Sequence, residues 1–140
     1  MLHQELTRRI LVLFFDVYNE LGRGFLESVY VESLRLALEA SGIQAEREVP
    51  IKVLFRGAVA GRFSADLVVE RAIVVEIKVA RTITAAHDAQ LLHYLRATEM
   101  EVGLLLNFGP NPEFKRLVYS NDRKRSLRPE KPASTREDPR

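Results

Sequence analysis

Residues 73–79 read Ile-Val-Val-Glu-Ile-Lys-Val. A short, nearly continuous apolar run of this kind, rich in β-branched residues, reads as a strand covered on both faces. Alternate side chains of a strand point to opposite faces. Ile73, Val75, Ile77 and Val79 therefore take one face, and Glu76 and Lys78 share the other. An unpaired buried charge costs several kcal/mol. Two ionisable residues inside such a run point to a site.

Working toward the N-terminus, Val59–Val69 reads as the preceding strand, with Asp66 just ahead of Leu67-Val68-Val69. A tight hairpin through Glu70–Ala72 pairs the two strands and brings Asp66 close to Glu76. An ion pair of either acid with Lys78 is the plain structural reading. The count runs against it, because two carboxylates and one ammonium leave a surplus negative charge. Like charges about 4 Å apart repel by roughly 4 kcal/mol at an effective dielectric of about 20. A divalent cation removes that penalty, and hard oxygen ligands suit Mg²⁺ or Mn²⁺. A lysine beside it can stabilise a phosphoryl oxygen or orient the attacking water.

Ahead of these strands, Ile43–Phe55 alternates apolar and polar residues, although Arg47 breaks the pattern. Pro50 lacks a ladder donor, which marks this strand as an edge or as bulged. Arg56-Gly57-Ala58 supplies the turn to the next strand. Leu6, Ile10, Leu13, Phe14, Val17 and Leu21 recur at helical spacing, so Leu2–Leu21 is expected as an amphipathic helix. A second helix is expected over Glu27–Ala40, ended by Gly42. Glu27 lies in its first turn, where an acid ordinarily serves the helix dipole.

Toward the C-terminus, the helical period returns over Thr84–Ala97, with Thr82 or Thr84 as the cap. His87, Gln90 and Tyr94 share one stripe of this helix, polar where a core-facing stripe would be apolar. That stripe is either a partly exposed face or the border of a cleft opened by Asp66 and Glu76. Val102–Phe108 reads as another buried strand, Gly109-Pro110-Asn111-Pro112 as a break, and Phe114–Tyr119 as a last strand. The helix between the third and fourth strands implies a crossover and a parallel pair. The expected fold is α/β: a mixed sheet of four or five strands flanked by helices.

These residues form an ordered set of blocks. Gly24-Phe25-Leu26-Glu27-Ser28-Val29-Tyr30 comes first, then Ala65-Asp66-Leu67 and Glu76-Ile77-Lys78, then His87-Asp88-Ala89-Gln90 and Gly103-Leu104-Leu105-Leu106-Asn107-Phe108. Over roughly residues 5–120 the chain resembles the GxxExxY family, a branch of the PD-(D/E)XK nuclease superfamily. The resemblance implies an αβββαβ core and a Mg²⁺-dependent nuclease. It implies Asp66 and Glu76 as metal ligands, the Ile77 carbonyl and Glu27 as further ones, and Lys78 as the catalytic lysine. Gln90 takes the place of a later-helix polar residue that assists catalysis. His87 and Tyr94, on the same helix face, are expected to touch nucleic acid. Ala65 departs from the superfamily signature, which has Pro at that turn-shaping position.

Composition bounds the alternatives. The 140 residues include no Cys, which excludes disulfides and thiolate metal sites. No apolar run is long enough for a membrane span, and the first residues lack the order of a signal peptide, so the cytoplasm is the expected compartment. Residues 121–140 hold seven Lys or Arg against four Asp or Glu, and the other 120 hold fourteen against fifteen. The expected organisation is a domain over 1–120 and a basic, disordered tail over 121–140. A body of nearly balanced charge also fits a catalytically silent module that binds nucleic acid or a protein partner. The apolar first helix leaves room for a homo-oligomer.

Overall fold

The computed structural model describes residues 2–124. The chain runs α1 (Gln4–Leu21), α2 (Glu27–Ala40), β1 (Ala45–Phe55), β2 (Ala58–Val69), β3 (Ile73–Lys78), α3 (Ala85–Arg96), β4 (Val102–Phe108) and β5 (Pro112–Val118). A short 3₁₀ turn follows at Asn121–Arg123. The Lys124 ammonium is buried and donates to the carbonyls of Thr98 and Met100 at 2.9 and 2.7 Å, so the packed chain runs on to Lys124. The rest of the expected tail lies outside the described residues.

The strands form one sheet in chain order, β1-β2-β3-β4-β5. Only the β3–β4 pair is parallel, and α3 makes the crossover between them. The β1–β2, β2–β3 and β4–β5 pairs are antiparallel. This is the mixed α/β sheet flanked by helices that the periodicities predict. Pro50 lies on β1, an edge strand, where its missing N–H costs no ladder bond.

Helices cover both faces. Ile10, Phe14, Leu34 and Leu38 of α1 and α2 pack on Leu67, Val75, Ile77, Leu104 and Leu106. On the other face Leu91, Tyr94 and Leu95 of α3 meet Ala65, Val68, Val74 and Leu105. The odd residues of β3 thus face α1 and α2, and its even residues face α3. Beyond the last of them, Val79 is 41% exposed.

One feature departs from simple alternation. In β1, Ala45 packs toward the α1–α2 face, whereas Val49 and Ile51 pack toward α3. In β2, Leu67 and Val69 face α1 and α2, whereas Phe63 and Ala65 face α3. Both strands turn over at the Glu48–Asp66 position, which the β1–β2 ladder skips. Glu48 has φ 51°, a left-handed backbone that few residues other than Gly adopt. The reversal also explains Arg47, which faces α2 and pairs with Glu32 at 3.0 Å.

Candidate active site

The β2–β3 hairpin turns at Glu70 and Arg71, both with positive φ, and the three residues Glu70, Arg71 and Ala72 separate the paired Val69 and Ile73. That turn sets the register Val69↔Ile73 through Leu67↔Val75. The next position would oppose Asp66 to Glu76, and there the regular ladder ends. The Asp66 N–H donates to Glu76 Oε2 at 3.0 Å, and the Ile77 N–H donates to Asp66 Oδ2 at 2.8 Å. Each carboxylate thus accepts from the opposing strand. The two acids come together as the hairpin predicts, and Ile77, whose carbonyl is an expected ligand, is tied to Asp66 through its own N–H.

Lys78 Nζ donates to Gln90 Oε1 at 2.8 Å, and Gln90 Nε2 donates to the Tyr94 hydroxyl at 3.1 Å. A relay of polar groups therefore runs from β3 across to α3. Tyr94 is buried, and its ring stacks on Phe63 at 4.6 Å. His87 sits apart from this relay. Its Nδ1 accepts from the Thr84 N–H, and its own N–H donates to Thr84 Oγ1, which closes a reciprocal cap on α3. Of the polar stripe, the structure brings Gln90 and Tyr94 to Lys78 and assigns His87 to the helix end.

Glu27 reaches the site because of what surrounds it in sequence. Gly24 has φ 110°, which lets the chain turn sharply into α2. Tyr30 is fully buried, stacked on Phe108 with ring centroids 4.3 Å apart. Its hydroxyl donates to the Gly22 carbonyl at 2.6 Å and accepts from the Phe25 N–H at 3.3 Å. The Gly, Glu and Tyr of this segment are thus a turn, a charge and an anchor. Glu27 stands within electrostatic reach of Asp66 and Lys78. Among the described residues, no three His, Cys, Asp or Glu side chains are grouped closely enough to hold one ion. The close pair is Asp66 and Glu76, and Glu27 adds charge from the rim.

The electrostatics follow from burial and crowding. Glu76 is 2% exposed; burial first, and then the Asp66 charge, push its carboxyl up to about 8. Burial also raises Asp66, against the opposing effects of the Ile77 N–H and of Lys78. Glu27 is raised by partial shielding and by Asp66. The Tyr94 hydroxyl is pushed up to about 12 by burial and by the nearby Glu76. Glu48 adds a further negative charge near Asp66. The acids outnumber the cations here.

Two contributors escape a reading of the sequence. The Asn107 side chain, fully buried at the end of β4, accepts from the Ala80 N–H at 2.9 Å and donates to the Ala80 carbonyl and to Glu113, each at 3.0 Å. Glu113 in turn accepts from Thr82 and from the Ile83 N–H. The loop after Lys78 is clamped from two strands. Asn107 stands out as a polar residue in an apolar run, and that is the signal available. Glu48 is the second, signalled by the break in alternation at Arg47. Beyond Lys78, a cleft of about 300 Å³ opens at the C-terminal ends of β3 and β4, lined among others by Arg23, Val79, Arg81 and Phe108. Open α/β sheets bind ligands at such strand ends.

The crystal structure of SSO0001 is similar over 84% of this chain and 61% of that one, with 21% identity and a TM-score of 0.47. No curated protein matches. The profile of the PD-(D/E)XK nuclease superfamily matches residues 4–117, which contain the whole sheet except the last residue of β5 and every acid of the site. The chain therefore belongs to the PD-(D/E)XK nuclease superfamily.

Proposed function

We propose that this protein is a metal-dependent nuclease of the GxxExxY branch, hydrolysing phosphodiester bonds through Asp66, Glu76 and Lys78. One observation carries the reading: Asp66 and Glu76 meet across the β2–β3 junction, each accepting an N–H from the opposing strand, with the Lys78 ammonium two residues further along β3. The donors are hard carboxylate oxygens, which suit Mg²⁺ or Mn²⁺. Asp66 and Glu76 would hold the ion, with the Ile77 carbonyl as a further oxygen donor and Glu27 adding negative charge from the rim. When bound, such an ion polarises a phosphoryl oxygen and lowers the pKa of its water.

The chain's own residues have separate tasks. The Lys78 ammonium is held by Gln90, and Tyr94 holds Gln90, so the positive charge is aimed before substrate arrives. A preorganised cation of this kind stabilises charge that develops on phosphorus-bound oxygens. The carboxylates must be ionised to bind the metal, so binding releases protons near neutral pH. The test is cleavage of DNA and RNA with Mg²⁺ or Mn²⁺ by the wild type, Glu76→Ala and Lys78→Ala. Cleavage by the wild type alone supports the proposal, and equal cleavage by all three contradicts it.

A second reading, a silent module with the same fold, draws on one observation: each acid already accepts a backbone N–H from the opposing strand. On that reading the pair only closes the sheet. No thermal shift with any divalent metal, together with no cleavage, is its expected signature.

A further inference from the structure

The β1–β2 hairpin continues well past the body of the protein. Ile51 is buried, and Phe63 packs on Tyr94, but from Lys52 to Arg62 every residue is exposed or half-buried. Between Val49 and Ala65 there is no acidic residue, and Lys52, Arg56 and Arg62 are all basic. The root of the same hairpin carries Glu48 and Asp66. Charge is thus sorted along the hairpin, with the acids at the site and the bases on the projecting arm.

The register makes this sorting informative. Lys52 lies directly opposite Arg62, and Pro50 opposite Ser64. All four are exposed, on the face that α3 does not cover. Like charges directly opposite each other in a ladder are destabilising. Neither Lys52 nor Arg62 has an ion-pair partner among the described residues. At the tip, the Arg56 guanidinium lies over the ring of Phe55, 4.8 Å from its centre, and Phe55 is 61% exposed. A bare, two-stranded, basic ribbon therefore continues the two strands that carry Glu48 and Asp66 at its root.

Resting on the nuclease reading above, we propose that this arm, through Lys52 and Arg62, holds the backbone of double-stranded DNA beside the site. The major groove of B-DNA admits a two-stranded ribbon. The deep, narrow major groove of A-form RNA does not admit side chains in the same way. The phosphates supply the negative charge that the Lys52–Arg62 pair lacks in the free protein.

The experiment measures binding of a labelled DNA duplex by the full chain carrying Glu76→Gln, so that cleavage does not intervene, at a series of salt concentrations. Each phosphate contact contributes about −0.9 to the slope of log affinity against log salt. Adding Lys52→Ser and Arg62→Ser is expected to flatten that slope by roughly two and to weaken binding more than tenfold at about 0.15 M salt. A charge-matched pair on α1, Arg8→Ser with Arg9→Ser, is expected to change affinity less than twofold. The arm variant is expected to melt no lower than its parent, since a like-charge pair has been removed. Equal slopes for arm variant and parent, tighter binding of single strands or RNA duplex, or a dimer that the arm substitutions dissociate would each overturn the proposal. Cleavage of a nitrophenyl phosphodiester, too short to engage the arm, reports on the site independently. If the otherwise wild-type chain cleaves it and the Lys52→Ser/Arg62→Ser pair leaves duplex affinity unchanged, the arm proposal alone falls. If it is not cleaved while the slope change holds, the nuclease reading alone falls.

Discussion

Glu76 keeps its proton far above the ordinary carboxylate range because it is buried beside Asp66. In the unfolded chain the same carboxyl ionises near its ordinary value of about 4.3. The folded pKa is raised, so the stabilisation is present at low pH and is lost as pH climbs toward about 8. Metal-free wild type is therefore expected to melt lower at pH 8 than at pH 5.5. Glu76→Gln, neutral at both, is expected to flatten this slope and to melt several degrees above wild type at pH 8; parallel slopes for the two proteins would show that Glu76 titrates normally. Lys78 tests a different point. Lys78→Met preserves the length of the stem but removes the charge that Gln90 orients. A fall of about 10²–10³ in cleavage rate with an unchanged melting temperature is expected, the magnitude seen when one preorganised stabilising group is lost. The parity of Glu76 and Lys78 was legible from seven residues, because a strand buried on both faces leaves no ordinary reason for charge. The roles of His87 and Tyr94 were not, because spacing places residues on a stripe without saying whether a cap or an aromatic neighbour claims them.

At the scale of elements, the site depends on how three segments are tied to the sheet. Tyr30 anchors the entry to α2, Asn107 clamps the loop after β3, and the left-handed backbone at Glu48 turns the β1–β2 hairpin over beside Asp66. Asn107→Leu is expected to leave the Ala80 N–H and carbonyl unpaired and to cost about 2–4 kcal/mol, measured by denaturant unfolding. Wild-type stability in that variant would show that water replaces the clamp. Helix and strand boundaries followed from periodicity to within two residues, since apolar spacing decides which face is buried; β5 begins at Pro112, inside the stretch whose Gly and Pro residues read as a break. Elements α2 and β4 match their expected ranges, Glu27–Ala40 and Val102–Phe108. The Asn107 clamp joins residues 27 apart, Asn107 and Ala80, and only the folded sheet brings them together. The strand reversal was hidden for another reason. Alternation assumes a uniform pleat, and one residue with φ 51° puts Ala45 and Val49, which share parity, on opposite faces.

At the scale of the whole molecule, the five strands and three α-helices of the described residues hold a small cluster of acids at one end of a sheet that is otherwise apolar on both faces. Among the described residues, no helix is long and apolar enough to cross a membrane. The fold stabilises the charged cluster poorly by itself, and a ligand that neutralises it should stabilise the fold in return. A metal at about 100 times its dissociation constant adds about 2.7 kcal/mol to the stability of a one-site protein. The decisive measurement is calorimetric titration of Mn²⁺ into the wild type and into Asp66→Ala/Glu76→Ala at pH 7.5, repeated in buffers of different ionisation enthalpy. One ion bound by the wild type with release of a proton, and none bound by the double variant, is the expected result. Equal binding by both proteins, or none by either, would contradict a site built on the two acids.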